Sequence, residues 1–409
     1  MNLFFKKIFT TLAVVGPGLF LIGYNIGTGS ITTMAKTGAE HGMGLFWVLV
    51  LSAIFTYVLM VAYGKMTIVT GRTALYNIKT NFNGGWILAL YIMLALIIGE
   101  LLALIGVMGI VADLIQEGVL MATGITISTF LIILVVAIAL YFLLWYGQYR
   151  SFEKVLIFFV ILMGLSFLVV FILVKPSIVA IAEGLIPRIP EKNLGLIAAI
   201  AGTTCSAAVF IMRSTVVAEK GWNINDLRTE KKDSLVSAAM MLFLSTVIMA
   251  VAAGTLHVMG LKLDNTVELI SLFEPIGGKV AALILILGIV GAGLSTIFPI
   301  VLIAPWLIAD YTGKPRNIHS SQSRILILIA LLFAFGSVIL EQRPPALMVF
   351  SQAFQACILP AVAIPILILL NRQNLMGLHI ASTKDNVWIG AVIAFSLYTT
   401  YYAIVELFY

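Results

Sequence analysis

Residues 16–30 read GPGLFLIGYNIGTGS and residues 202–206 read GTTCS, and each stretch interrupts an apolar run long enough to cross a bilayer. Glycine costs about 1 kcal/mol relative to alanine inside a helix, and β-branched threonine is also disfavoured there. Gly27, Thr28, Gly29 and Ser30 in the first run, and Gly202, Thr203, Thr204, Cys205 and Ser206 in the second, are therefore the weakest points of their helices. Gly16 and Gly23 suit close helix packing better than a break. Irregular backbone at membrane depth is tolerated only where it lines a cavity or is buried in protein. Two interruptions five spans apart predict an inverted repeat of five plus five helices, with helices 1 and 6 broken around a midplane substrate site.

Outward from these two points, apolar windows near 20 residues recur at about 11–36, 43–69, 85–114, 125–147, 152–175, 193–218, 234–258, 278–309, 323–341, 346–370 and 386–408. They predict an all-α polytopic membrane protein of eleven transmembrane helices. The chain reads as one transmembrane domain over 1–409, with repeats at about 11–175 and 193–370 and an extra helix at 386–408. Composition agrees: 61% of residues are hydrophobic and 10% charged, with mean hydropathy +1.12, far from the roughly half-apolar, quarter-charged soluble norm. Lys6 and Lys7 precede an apolar run that lacks a small-residue cleavage pattern and continues as a full span, so the start reads as a retained helix.

Sixteen of the 24 lysines and arginines fall in segments on the N-terminal side of the membrane and seven on the other, with Arg213 inside a span. Basic residues concentrate on the cytoplasmic side. The expected arrangement is an integral membrane protein with a cytoplasmic N-terminus, in a bacterial inner (plasma) membrane. The net charge of +6 is this orientation signal and implies no nucleic-acid partner. Cys205 and Cys357 lie in apolar runs and form neither a disulfide framework nor a CxxC pair. No phosphate-binding GxxxxGK[ST], nucleophile elbow, Ser-His-Asp set or zinc protease motif occurs. The chain is therefore expected to be neither an enzyme nor an ATP-driven pump, and no cofactor is expected.

Four segments carry a family resemblance: residues 16–30; YGKMTIVTGRTALY at 63–76; WYGQYRSFEKVLIFFVILMGLSFLVVFILVKPS at 145–177; and SQAFQACILPAVAIPILILLNRQNLMG at 351–377. In the same order and at the same spans, they resemble the NRAMP (natural resistance-associated macrophage protein) metal transporters over nearly the whole chain. The resemblance implies a LeuT-type fold working by alternating access, a metal ion substrate and a proton as coupling ion. It also exposes departures. The family's first-span Asp-Pro-Gly-Asn falls on Gly27, Thr28, Gly29 and Ser30. In the sixth span the family's ligating carbonyl falls on Thr203, its methionine on Ser206, its Pro-His on Ala207 and Ala208, and its second histidine on Arg213. The tenth-span glutamine falls on Ile358, with Gln352 and Gln355 a turn or two earlier. Neutral oxygens replace anionic and soft ligands, and selection of manganese or iron over magnesium and calcium needs a soft one. The usual transition-metal site is absent.

Two charges remain inside predicted spans. Glu100 stands in the middle of LALIIGELLALIG, where a carboxylate is costly and marks a functional, inward-facing position. It aligns with a third-span glutamate that the family places beside its proton route. Arg213 lies near the end of the sixth window, where it either snorkels to the interface, pairs with Glu100, or meets an anionic group of the substrate. Asn25, Ser295 and Thr296 are weaker polar positions, and His41, His257, His319 and His379 fall in or beside loops.

The expectation is thus a secondary transporter on the NRAMP scaffold with altered selectivity. Its substrate is a small polar or anionic solute held by Gly27, Thr28, Gly29, Ser30, Thr203, Thr204, Ser206, Gln352 and Gln355, with Glu100 and Arg213 carrying coupling or charge. The alternatives are a divalent cation transporter for manganese or hydrated magnesium, with or without proton coupling, and a non-transporting receptor or scaffold on the same fold.

Overall fold

The computed structural model describes residues 27–146, 149–190, 193–272, 279–314, 316–340 and 343–408. Gly16, Pro17, Gly18, Gly23, Asn25 and the first part of the 11–36 window lie outside the described residues. The principal helices are α1 (Thr28–His41), α2 (Phe46–Thr70), α3 (Ala74–Asn81), α4 (Gly85–Thr123), α5 (Thr129–Tyr146), α6 (Tyr149–Val174), α7 (Gly195–Thr204), α8 (Ala207–Lys220), α9 (Leu227–Gly254), α10 (Lys279–Thr312), α11 (Ser321–Phe333), α12 (Pro344–Leu370) and α13 (Thr383–Phe408).

Among the described residues, nine helical segments are long and apolar enough to cross a membrane, with α7 and α8 together forming one of them. The helix α6, 26 residues long, covers the 152–175 window. Gly195–Lys220 is buried in the bundle along its most apolar stretch. It packs chiefly against α12 and α2, while α4 packs on α10 and α12, and α1 on α9. The outer helices present Trp86, Ile87, Tyr91 and Leu94 of α4, and Phe130, Leu131 and Val135 of α5, as exposed apolar side chains. These are the surfaces that a lipid solvent accepts.

The sixth-span interruption is narrower than the weak stretch that announces it. Gly202, Thr203 and Thr204 complete the last turn of α7, and the chain leaves helical geometry only at Cys205 (φ −107°, ψ 51°) and Ser206 (φ −69°, ψ 129°) before α8 begins. Breaking the ladder frees carbonyls that need partners. The Thr204 carbonyl accepts the Thr56 hydroxyl of α2 at 2.7 Å. In the first span Gly27 is extended (φ −102°, ψ −166°) and caps α1, so Thr28, Gly29 and Ser30 form a helical first turn instead of an unwound loop. Small and hydroxylated residues are tolerated at that end because the first N–H groups have no helical acceptor anyway.

Two glycines are demanded by contact. A Cβ on Gly27 would sit 1.7 Å from the Thr296 hydroxyl oxygen, and one on Gly202 would sit 1.8 Å from the Gln352 carbonyl oxygen. Glycine therefore lets α1 and α7 close onto α10 and α12, which brings both interruptions to one place.

Candidate functional site

A cavity of about 30 Å³ lies where these elements meet. Gly27, Gly29 and Ser30 of the α1 start form one wall, and Thr203 and Ser206 on either side of the sixth-span break form another. Glu100 and Ala103 reach it from the middle of α4, Thr296 and Ile300 from α10, and Met348, Gln352 and Gln355 from α12. The last three are spaced i, i+4, i+7 and so share one helix face.

Hydrogen bonds tie these walls together. The Ser30 and Thr203 hydroxyls are 2.9 Å apart, linking the two interrupted spans directly. Gln355 donates from Nε2 to Glu100 Oε1 at 2.8 Å, and Glu100 is buried. The Thr296 hydroxyl bonds to the Ala292 carbonyl at 2.9 Å within its own helix. Among the described residues no lysine, arginine or histidine lines the cavity. Nor do three His, Cys, Asp or Glu side chains come together anywhere as a metal-holding group, among those same residues. Among the described residues the cavity offers one carboxyl group, two amides, four hydroxyls and a thioether.

Several expected positions lie elsewhere. Thr28 and Thr204 do not line the cavity. The Thr28 methyl would lie 3.2 Å from a Cβ on Gly293, so its side chain faces α10, and Thr204 contributes its carbonyl to Thr56. Ser295 is also off the cavity wall.

Arg213 is the main correction. It neither snorkels nor pairs with Glu100 nor faces the cavity, but is fully buried seven residues beyond Ser206. Its guanidinium donates to Asp233, to Glu230 at 3.1 Å and to the Ser234 hydroxyl at 3.1 Å, all on α9. Trp222 lies over the same group at 5.9 Å. The seventh span was expected to begin at 234, which put Glu230 and Asp233 in a solvated loop. The helix instead starts at Leu227, and both acids are buried because Arg213 compensates them.

Met348 is a cavity residue that the sequence reading passed over. The available signal was its spacing from Gln352 and Gln355 on one helix face; a lone methionine in an apolar span otherwise reads as packing.

The family model for natural resistance-associated macrophage protein-like proteins matches residues 18–406. A divalent metal cation transporter MntH from Pectobacterium carotovorum subsp. carotovorum (strain PC1) is 25% identical over 378 residues, covering 90% of this chain and 87% of the relative. The MntH of Deinococcus radiodurans is 24% identical over 406 residues, covering 94% and 88%. Among solved structures, the Eremococcus coleocola manganese transporter in complex with an aromatic bis-isothiourea substituted compound aligns with a TM-score of 0.73 at 18% identity, over 99% of this chain and 89% of that one. Mhp1, a nucleobase-cation-symport-1 family transporter, aligns at 0.64 and 14% identity, over 96% and 93%. These likenesses establish the LeuT-type fold. With a family match that runs through both interruptions and every wall of the cavity, this chain belongs to the natural resistance-associated macrophage protein-like family and is an integral membrane transporter, not an enzyme.

Proposed function

We propose that this chain carries a divalent cation, largely dehydrated, through the central cavity, with Glu100 supplying the compensating charge. The observation that carries this reading is electrostatic: the cavity holds one carboxyl group and no basic side chain among the described residues. A full carboxylate charge outweighs the roughly half-charge of a helix N-terminus such as the start of α1 or α8. A divalent cation entering the cavity is attracted by that carboxyl group and exchanges there with a proton. That exchange at Glu100 makes cation binding depend on pH.

Arg213 tilted the expectation of a small polar or anionic solute towards an anion, and its charge is spent on Glu230 and Asp233. Size argues the same way. A volume of about 30 Å³ takes roughly two or three water-sized bodies, which suits a small ion better than an organic acid. Carboxylate, amide and hydroxyl oxygens suit magnesium, calcium and manganese, and the relatives named above are divalent metal cation transporters.

Proteoliposome uptake of manganese, magnesium, bicarbonate and small organic acids, with internal pH recorded, tests the proposal. Saturable divalent cation uptake is expected. Uptake of an anion with no cation uptake overturns it, and uptake of none of these points to the non-transporting alternative.

A further inference from the structure

We propose that the cytoplasmic end of α9 is a binding surface for anionic phospholipid headgroups of the cytoplasmic leaflet. The helix sorts its side chains by face. Glu230, Asp233, Ser234 and Ser237 are buried, and the two acids pair with Arg213 of α8. Arg228, Lys231, Lys232, Leu235 and Val236 are all exposed, and their i, i+3, i+4, i+7, i+8 spacing puts them on one helix face. Pairing with Arg213 thus takes the acids off the outer face and leaves its first turns basic. Among the described residues Arg228, Lys231 and Lys232 form no ion pair. Asp226, two residues ahead of Arg228, accepts the Asn223 N–H at 3.0 Å instead.

The same face fixes the depth. Between Lys232 and Leu235 the exposed side chains change from charged to apolar within one turn, and the apolar run continues outward through Val236 and Phe243. At the rise of an α-helix the three cations lie roughly 5–10 Å along the axis from Leu235, which is about the thickness of the headgroup layer beside the hydrocarbon. Trp222, in the turn before α9, is half-buried there, as an aromatic side chain at a membrane interface should be. Basic residues at a cytoplasmic end also serve to orient the chain during insertion, but that role requires neither this sorting of faces nor any lipid afterwards. Each basic residue beside an anionic membrane strengthens the attraction about fivefold, and three unpaired ones on one face present a site whose complement is a phosphate-bearing headgroup with net negative charge.

The test uses the full chain in a neutral detergent, with thermal stability followed against added phosphatidylglycerol, phosphatidylcholine or inorganic phosphate. Phosphatidylglycerol is expected to raise the melting temperature at concentrations where the other two do not. The variant carrying Arg228→Gln, Lys231→Gln and Lys232→Gln is expected to need about tenfold more of it, or beyond, for the half-maximal rise. A midpoint unchanged within about twofold, or an equal rise with phosphatidylcholine, overturns the proposal. A rise reproduced by inorganic phosphate overturns the lipid assignment in favour of a soluble anion. If the variant does not fold, the wild-type chain decides: going from about 20 to about 500 mM salt screens exposed charges and is expected to raise the phosphatidylglycerol midpoint about tenfold, whereas a midpoint insensitive to salt overturns the proposal.

Discussion

The Ser30 hydroxyl lies 2.9 Å from the Thr203 hydroxyl, so a hydrogen bond joins the first turn of α1 to the last turn of α7 across the cavity. Both residues are buried. A neutral bond of this kind contributes about 0.5–1.5 kcal/mol net. Ser30→Ala and Thr203→Val, alone and combined, form a double-mutant cycle read in manganese affinity. A coupling energy of that size is expected; strictly additive losses contradict the link.

Glu100 accepts a hydrogen bond from Gln355, and both side chains line the cavity. Glu100→Gln keeps the shape and removes the charge. Cation uptake by this variant is expected to fall at least tenfold, and its remaining rate to lose the pH dependence expected of wild type, both measured in proteoliposomes with an internal pH dye. Proton movement that persists unchanged removes Glu100 from the coupling role.

Arg213 serves the fold, because it compensates two buried acids on the neighbouring helix. Removing one member of a buried ion cluster typically costs about 3–5 kcal/mol, whereas replacing the whole cluster with neutral groups is often tolerated. Arg213→Met is expected to lower thermal stability in detergent sharply, and the triple variant with Glu230→Gln and Asp233→Asn to recover most of it. Full stability of Arg213→Met together with loss of transport would return the residue to the substrate path.

How much of this was legible in the sequence differs by residue. Gly27, Gly29, Ser30, Thr203 and Ser206 stood out because glycine and hydroxyl clusters conflict with the helix that an apolar span otherwise demands. Glu100 stood out because a carboxyl group in a bilayer is costly. Arg213 misled because its partners, Glu230 and Asp233, lie across a turn and were placed outside the membrane by their charge; burial by pairing cannot be seen in a hydropathy window. Met348 was silent because a lone methionine in an apolar span reads as packing until the fold brings it to a cavity wall.

His41 ends α1 on the side expected to be external, with Nε2 buried and without a hydrogen-bond partner. Burial holds its imidazole below the usual 6.5, opposed by Glu40 and reinforced by His257. The sign follows from linkage: the undocked segment takes up a proton more readily than the docked one, so docking weakens as pH falls below 6.5 and is fully present above it. Hydrogen exchange over residues 38–44, corrected for intrinsic rates, is expected to be faster at pH 5.5 than at 7.5, and His41→Gln to flatten that difference. Equal protection at both values in wild type contradicts the assignment.

The account turns on whether the charge at the cavity is matched by a cation. Calorimetric titration of purified wild-type chain and Glu100→Gln with manganese, in two buffers of different ionisation enthalpy, measures binding and proton release together. The account predicts saturable binding to wild type with release of a proton, and an affinity at least tenfold weaker in Glu100→Gln with no proton released. Equal binding by both proteins, or no manganese binding by the wild type, would contradict it.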